Sequence, residues 1–313
     1  MSEWTQYFDR SEDVQVSEDI FRVYYAGNEG PWVVLLHGGG HTALTWCLTA
    51  SILKKHCRIL AFDFRGHGQS ITQDEGDLSE ATLVQDTINI LQRCLPDESN
   101  PISGAPTPSI IVGHSMGGAI AIRVAARNEL KTLAGMIIID VVEGTALAAL
   151  SHMQAVLANR PSHFTSEEEA IQWSLRSGAV RNAESARVSI PSQIRLDSDG
   201  IFAWRTNLFS SAQYWNGWFT GISEMFLNVS IPKLLLLAGT DRLDTALTRG
   251  QMQGKFQLRL MYGSGHVIQE DCPERTAEAL LEFCARVTPV AGLPAQRDVL
   301  AEKLAKARGM MPH

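Results

Sequence analysis

The segment IIVGHSMGGAIAIRVA, residues 110–125, decides the fold because it joins two hydrophobic patterns through a serine placed between glycines. It begins as a short β-branched apolar run, which is typical of a strand buried on both faces, and it ends as a helical pattern. Gly113-His114-Ser115-Met116-Gly117 lies at the junction. A Gly-x-Ser-x-Gly turn between a strand and a helix lifts the serine hydroxyl above the edge of the sheet. We therefore predict that Ser115 is a nucleophile.

Short apolar runs without alternation recur along the chain, and helical patterns lie between them. Such runs are typical of parallel strands covered on both faces. Their alternation with helices predicts an α/β fold, with a mostly parallel central sheet and helices on both faces. The runs lie at residues 32–37, 57–64, 109–114, 135–142, 233–239 and 256–262.

Residues 145–228 interrupt this alternation with helical or irregular segments that are rich in aromatic residues. The buried-strand pattern resumes at 233–239, which favours an insertion between two strands of one sheet. We therefore predict a helical lid insertion at 145–228, within a core formed by residues 1–144 and 229–313. A separate helical domain is the alternative.

Composition narrows the function classes. A net charge of −7 over 313 residues argues against a nucleic-acid-binding protein, which normally shows a basic face. Five cysteines without CxxC spacing suit reduced thiols in an intracellular protein. The polar, acidic amino terminus has no signal-peptide pattern, and no apolar run is long enough for a membrane helix. We expect an intracellular protein, cytoplasmic and/or nuclear, that binds neither nucleic acid nor membrane.

A serine nucleophile needs a general base, and the base needs a carboxylate that orients it. His266 follows the last strand-like run and precedes the last helical pattern, which suits the chain order Ser, acid, His. Two aspartates compete for the acid: Asp241 ends the run KLLLLAGTD, and Asp140 ends GMIIID. Position alone favours Asp241, because its strand more often carries the acid. Asp140, on the strand after the nucleophile helix, is the rarer alternative.

The glycine run in LLHGGG, residues 35–40, predicts an oxyanion hole. Glycines after a strand leave backbone N–H groups free to face the serine, here that of Gly39, and the amide of Met116 completes the hole. His37 and His41 raise the possibility of a metal site, but no carboxylate or cysteine stands at metal-ligand spacing from them. We expect no metal.

Together these motifs resemble the α/β hydrolases, and the chain resembles more narrowly the protein phosphatase methylesterases. HGGG, DFRGHG and GHSMGG are shared widely among α/β hydrolases. DVVEGTA, YWNGWF and GQMQGKFQ are much narrower and carry the family resemblance, which extends from about residue 31 to residue 285. The resemblance implies the α/β-hydrolase fold with a helical lid insertion.

The resemblance also implies a reaction. Members of this family remove the methyl ester from the carboxyl-terminal leucine of the protein phosphatase 2A catalytic subunit, without a metal or organic cofactor. It makes Ser115 the nucleophile and His266 the base. It places the catalytic acid in DVVEGTA, and so selects Asp140 over Asp241. The partner implied is the carboxyl-terminal tail of that phosphatase subunit.

Aromatic residues of the lid are the remaining candidates. Trp204, Tyr214, Trp215 and Trp218 are possible contacts for a peptide tail, although such residues more often form the core of a lid. Two other functions stay open: a small-molecule esterase or lipase with the same triad, and a phosphatase-binding inhibitory protein with little turnover.

Overall fold

The structure is a computed structural model that describes residues 4–95, 106–239 and 243–288. The alternative acid Asp241 therefore lies outside the described residues. Eleven strands are assigned within those ranges: β1 (Arg10–Val16), β2 (Asp19–Ala26), β3 (Trp32–Leu36), β4 (Arg58–Phe62), β5 (Ser109–His114), β6 (Leu133–Ile139), β7 (His163–Phe164), β8 (Ile194–Leu196), β9 (Phe202–Trp204), β10 (Lys233–Leu237) and β11 (Gln257–Leu260).

From β3 to β6, and again between β10 and β11, helices separate the strands along the chain, as the alternating pattern predicts. In chain order they are α1 (Cys47–Leu53), α2 (Glu80–Cys94), α3 (Met116–Arg127), α4 (Glu143–Ala158), α5 (Glu167–Ser177), α6 (Ala183–Gln193), α7 (Leu208–Phe219), α8 (Ile222–Asn228), α9 (Thr245–Met252), α10 (Ile268–Asp271) and α11 (Pro273–Val287). Short 3-10 helices span Trp4–Gln6 and Ala43–Trp46.

Eight of the described strands form one sheet in the order β1-β2-β4-β3-β5-β6-β10-β11. From β4 to β11 every neighbouring pair is parallel, whereas β1 with β2 and β2 with β4 are antiparallel. All six apolar runs predicted as strands lie in this sheet, so the prediction of a mostly parallel sheet is confirmed. Parallel strands place their carboxyl ends at one edge, where the site described below is built.

Hydrophobic cores cover both faces of the sheet. Alternate residues of β5 belong to different cores: Ile111 packs with residues of α2 and α3, and Ile110 packs with residues of α1 and α11. Since successive strand residues point to opposite faces, a strand covered by helices on both sides must be apolar throughout. This is why the central strands are continuous apolar runs.

The β1–β2 hairpin at the edge of the sheet is not predicted from the sequence. Of the seven residues of β1, only Val14 is buried, because this strand pairs on one side and meets solvent on the other. Its charges suit an edge strand, where they hinder pairing with other chains.

Residues 143–228 carry α4 to α8 and a second, three-stranded antiparallel sheet in the order β7-β9-β8. The strands of this sheet are two or three residues long, too short to give an alternating pattern in the sequence. A separate small core, which includes Phe164, Ile171 and Ile190, holds this region together. The division of the chain into core and lid at 145–228 stays a prediction.

Gly117 sits where the elbow crosses β3, and its hydrogen side chain is a packing requirement. A Cβ at this position would lie 2.4 Å from the carbonyl oxygen of His37 and 2.6 Å from that of Leu36. We expect Gly117→Ala to lower the free energy of unfolding by about 3 kcal/mol, since backbone must move to admit the methyl group. Urea denaturation would measure this. Gly76→Ala, in an exposed loop where a Cβ has room, is the control and should leave the urea midpoint unchanged.

Candidate active site

Ser115 occupies the tight turn that its neighbours predict. Its backbone has φ 53° and ψ −119°, a strained conformation for a non-glycine residue. The turn is crowded, since a Cβ on Gly113 would lie 2.2 Å from the carbonyl oxygen of Gly117. The Ser115 N–H donates to the carbonyl of Ile139 at 3.0 Å, whereas its hydroxyl has no hydrogen-bond partner among the described residues. The serine is thus held by its backbone, and its side chain is left available.

His266 and Asp140 meet at the same edge of the sheet. The distance between Nδ1 of His266 and Oδ2 of Asp140 is 2.7 Å. Asp140 directly follows β6 and is 3% exposed, whereas the His266 side chain is 51% exposed. A buried carboxylate that accepts from Nδ1 fixes the imidazole with Nε2 unprotonated, which is the form that acts as a base.

The backbone of Asp140 is also held in an unusual state. Its φ is 51°, in the left-handed region, and its N–H donates to the carbonyl of Leu236 at 2.9 Å. The Ala238 N–H donates to its Oδ1 at 3.1 Å. Because β6 and β10 are parallel neighbours, the chain after β10 reaches this carboxylate directly. The strand beside β6 therefore orients the acid.

His114 connects the serine to the histidine. Its Nε2 lies 3.0 Å from the carbonyl oxygen of His266, and the two ring centroids are 4.7 Å apart. Burial lowers the pKa of His114 well below its ordinary value, and the neighbouring His266 and His41 add to this shift. A neutral His114 that donates from Nε2 to the His266 carbonyl holds the loop of His266 close to Ser115, the next residue in the chain.

The loop after β3 supplies candidate oxyanion donors. The N–H groups of Gly39 and Met116 donate to no atom of the described residues. A Cβ at Gly39 would lie 3.7 Å from Sδ of Met116 and 3.7 Å from the ring of Trp218, so the loop lies between the elbow and α7. Two free amides beside a serine can stabilise a developing oxyanion.

Two buried histidines fix this loop. The Gly40 N–H donates to Nε2 of His67 at 2.9 Å, and Nδ1 of His67 donates to the carbonyl of Arg65 at 2.8 Å. His37 accepts from the N–H of Phe64 at 2.9 Å and donates to the carbonyl of Gly38 at 2.8 Å. The Gly40 amide is therefore used within the protein, and Gly39 and Met116 stay the predicted donors.

The structural role of His67 is not predicted from the sequence. Burial lowers the pKa of His67 to about 4, below its ordinary value of 6.5. The unfolded chain binds a proton near pH 6.5 that the folded chain resists until about pH 4. The stability contributed by neutral His67 is therefore present above pH 6.5 and is lost as the pH falls towards 4.

We expect His67→Gln to flatten the dependence of the melting temperature on pH between 6.5 and 4, since up to about 3 kcal/mol of that dependence comes from His67. Differential scanning calorimetry over this range measures the slope. The exposed His152 provides a matched control, because His152→Gln makes the same chemical change at the surface of α4. An unchanged slope in His67→Gln would contradict the assignment.

A buried carboxylate lies below the base loop and was also missed. Glu270 is 1% exposed, and its carboxylate accepts from the hydroxyls of Thr45 and Ser189. Nδ1 of His41 lies 3.6 Å from its Oε1. Its position in α10, the helix after His266, is the one signal in the sequence that could have drawn attention to it.

The described residues contain no group of three His, Cys, Asp or Glu side chains arranged to hold a metal ion. His37 and His41, the two candidates weighed in the sequence, do not form such a group. Both ring nitrogens of His37 are already engaged with backbone groups.

Comparison with known proteins places this site in a family. The model of the alpha/beta hydrolase family matches residues 33–279. The chain is 43% identical to protein phosphatase methylesterase 1 of Mus musculus, with 90% of this chain and 84% of the relative aligned. It is 46% identical to the probable protein phosphatase methylesterase 1 of Caenorhabditis elegans, covering 90% and 77%. The chain belongs to the protein phosphatase methylesterase family.

Solved structures agree with the fold of this methylesterase. An E-2-(acetamidomethylene)succinate hydrolase superimposes with a TM-score of 0.72 at 20% identity, over 88% of this chain and 98% of its own. An alpha/beta hydrolase from Novosphingobium aromaticivorans gives a TM-score of 0.69 at 18% identity, over 89% and 98%. These matches support the fold, and the predicted α/β-hydrolase fold is confirmed. As a member of this family, the chain is a carboxylic ester hydrolase.

The narrow motif DVVEGTA of the methylesterase connects the candidate acid Asp140 to the start of α8. Asp140 opens the motif, and the Glu143 carboxylate accepts from the N–H groups of Gly221 and Ser223 at 2.8 and 3.0 Å. A carboxylate at the first turn of α8 suits both the unpaired amides and the helix dipole. This motif thus carries a candidate catalytic residue and a structural one.

The second motif, YWNGWF, contains two of the aromatic residues considered as possible contacts. Trp215 and Trp218 of the methylesterase are each 2% exposed, and their indole N–H groups donate to the Ser211 hydroxyl and the Leu78 carbonyl. Both rings are packed in the core, so neither offers a contact surface to a partner. Trp204 and Tyr214 are only partly buried.

Within the described ranges of the methylesterase, no helix combines the length and the apolar character needed to cross a membrane.

Proposed function

We propose that this methylesterase hydrolyses the methyl ester of the carboxyl-terminal leucine of the protein phosphatase 2A catalytic subunit, through a triad of Ser115, His266 and Asp140. One observation carries the proposal: a buried carboxylate and a histidine lie 2.7 Å apart at the sheet edge that holds a strained serine elbow. The names of its relatives, protein phosphatase methylesterase 1, supply the class of substrate.

Acylation follows from the positions of these groups. Nε2 of His266 takes the proton from the Ser115 hydroxyl as its oxygen attacks the ester carbonyl. Negative charge develops on the carbonyl oxygen and is stabilised by the N–H groups of Gly39 and Met116. The imidazolium then returns its proton to the methoxy oxygen, methanol leaves, and an acyl-enzyme on Ser115 remains.

Deacylation uses the same groups in reverse. His266 takes a proton from a water molecule, which attacks the acyl carbon, and the proton passes to the Ser115 oxygen as the ester bond breaks. The product is the free leucine carboxylate. The Asp140 carboxylate stabilises the imidazolium that forms in each half of the reaction.

Asp140 rather than Asp241 is proposed as the acid. The Asp140 carboxylate is buried, contacts Nδ1 of His266 and is oriented by the Ala238 N–H. A buried, oriented carboxylate is what holds the imidazole in the reactive tautomer. Trp204 and Tyr214, the partly buried lid aromatics, remain proposed contacts for the peptide tail.

The direct test incubates the purified protein with methylated protein phosphatase 2A and follows the appearance of the free carboxyl terminus. We expect one molecule of methanol to be released for each free leucine carboxylate that appears at the carboxyl end of the phosphatase. Failure to demethylate the phosphatase, together with rapid turnover of free short-chain esters, would favour the small-molecule esterase instead. Tight binding of the phosphatase without turnover would favour an inhibitory binding protein.

A further inference from the structure

A cavity of about 540 Å³ lies apart from the serine, between the β1–β2 hairpin, the loop after β4 and the small sheet of residues 163–204. Its walls include Arg22, Arg195 and Arg205, together with the backbone of residues 66–70. Neither Ser115 nor His266 lines it. The cavity therefore belongs to a different surface from the proposed catalytic groups. The chain is acidic overall, whereas the wall of this cavity carries three arginines.

The three arginines differ in how they are neutralised. Arg22 makes a two-pronged ion pair with Asp13, at 2.7 and 3.1 Å. Arg195 and Arg205 form no ion pair with any described residue. The other carboxylate in the cavity wall, that of Glu75, is exposed to solvent. The Arg195 and Arg205 guanidinium groups thus lack a direct ion-pair partner among the described residues, although the buried Asp63 carboxylate lies near enough to Arg205 to interact with its charge.

Arg205 is held in place by backbone groups alone. Its Nε donates to the carbonyl of Ile194 at 2.9 Å and its Nη1 to that of Gly68 at 3.3 Å. Burial lowers the pKa of Arg205, the Asp63 carboxylate opposes that shift, and the positive charge of Arg195 adds to it. Like charges brought together at a cavity wall repel each other, and a bound anion removes that repulsion.

We propose that this cavity binds a phosphate group, gripped by the guanidinium groups of Arg195 and Arg205. Phosphate carries close to two negative charges at neutral pH, which matches two unpaired guanidinium groups better than a single carboxylate does. The planar fork of arginine also suits the oxygens of phosphate. Its source is either free phosphate or a phosphorylated side chain of another protein.

The site is connected to the proposed oxyanion hole. His67 lines the cavity, and its Nε2 accepts from the N–H of Gly40 at 2.9 Å. The Gly68 carbonyl, which accepts from Arg205, belongs to the same loop. A phosphate that orders Arg205 therefore also holds the loop that supports Gly40.

The test titrates the full chain with inorganic phosphate, and separately with a phosphoserine peptide, while the melting temperature is recorded at constant ionic strength set with chloride. We expect a saturable rise in the melting temperature, because a ligand that binds the folded state stabilises it. Tighter binding of the phosphopeptide than of phosphate identifies a phosphorylated protein as the source. Equal affinity identifies free phosphate.

Variants locate the site. The Arg195 side chain is exposed and makes no hydrogen bond with described residues, so Arg195→Gln should fold normally and weaken phosphate binding about tenfold. Arg205→Lys, which keeps the charge and loses the fork, should also weaken binding. Arg176→Gln removes an exposed arginine at the end of α5, outside the cavity, and should bind as the wild type does.

Three results would overturn the proposal. The first is a wild-type protein that shows no saturable effect of phosphate beyond that of chloride, and the second is an Arg195→Gln protein that titrates like the wild type. The third is loss of phosphate binding after Ser115 is blocked by a serine-directed fluorophosphonate, since that would put the phosphate in the catalytic pocket. Retained binding in the blocked protein supports a separate site.

Discussion

Ser115→Ala is expected to lower kcat for demethylation of the phosphatase by about 10⁴-fold or more. The residue stands at the strained elbow, and its hydroxyl has no hydrogen-bond partner among the described residues. Without the nucleophile the acyl-enzyme cannot form, and only the acceleration that comes from the oxyanion donors and from substrate binding remains. Single-turnover assays on methylated phosphatase measure the loss.

Stability and binding serve as controls for this variant. Alanine adopts the elbow conformation no more easily than serine, so the melting temperature should stay close to that of the wild type. Labelling by a fluorophosphonate should disappear, because the reagent needs the serine oxygen. Demethylation at the wild-type rate by Ser115→Ala would refute the triad. Retained affinity for the phosphatase with lost turnover would show that binding and chemistry are separable.

Asp140→Asn is expected to lower kcat by about 10⁴-fold with little change in fold. The amide is nearly isosteric with the carboxylate, and asparagine tolerates the left-handed backbone at this position, where φ is 51°. An amide NH₂ facing Nδ1, however, favours the wrong tautomer of His266 and cannot stabilise the imidazolium. The rate should therefore fall while KM changes little.

Asp241→Asn is the matched comparison, since it makes the same chemical change at the competing aspartate. We expect its kcat to stay near the wild-type value. Rate measurements from pH 6 to 9 on both variants separate a tautomer effect from a simple loss of structure. A large loss in Asp241→Asn and a small one in Asp140→Asn would reverse the assignment of the acid.

The sequence predicts the central strands well because each is buried on both faces and so must be apolar along its length. It fails for β1, where one side meets solvent and only Val14 is buried. It fails again for β7 to β9, whose length of two or three residues is below any periodic signal. In addition, β7 pairs with β9, which lies far along the chain. Pairing that depends on distant segments leaves no local pattern.

The candidate site was likewise predictable where the signal is local and not where it depends on distant segments. Ser115 has a local signature, and His266 is identified by its place in the chain order. Position alone favours Asp241, but it does not show which strand end the loop of His266 approaches. That approach is a long-range property of the fold. The resemblance to the family selected Asp140, and the structure places its Oδ2 against His266. His67 and Glu270 were missed because their contacts, to Gly40 and Thr45, join residues far apart in the chain.

The left-handed backbone of Asp140 restricts which amino acids the position can accept during evolution. Glycine, asparagine and aspartate enter this conformation at low cost, whereas most other side chains clash with their own carbonyl groups. Of these three, only aspartate brings a negative charge. Lengthening the side chain to glutamate, the substitution that usually conserves a carboxylate, therefore combines a misplaced charge with backbone strain. Geometry and charge together therefore favour aspartate alone at the proposed acid. Once Asp140 is lost during evolution, no other acidic residue fits this position without backbone strain.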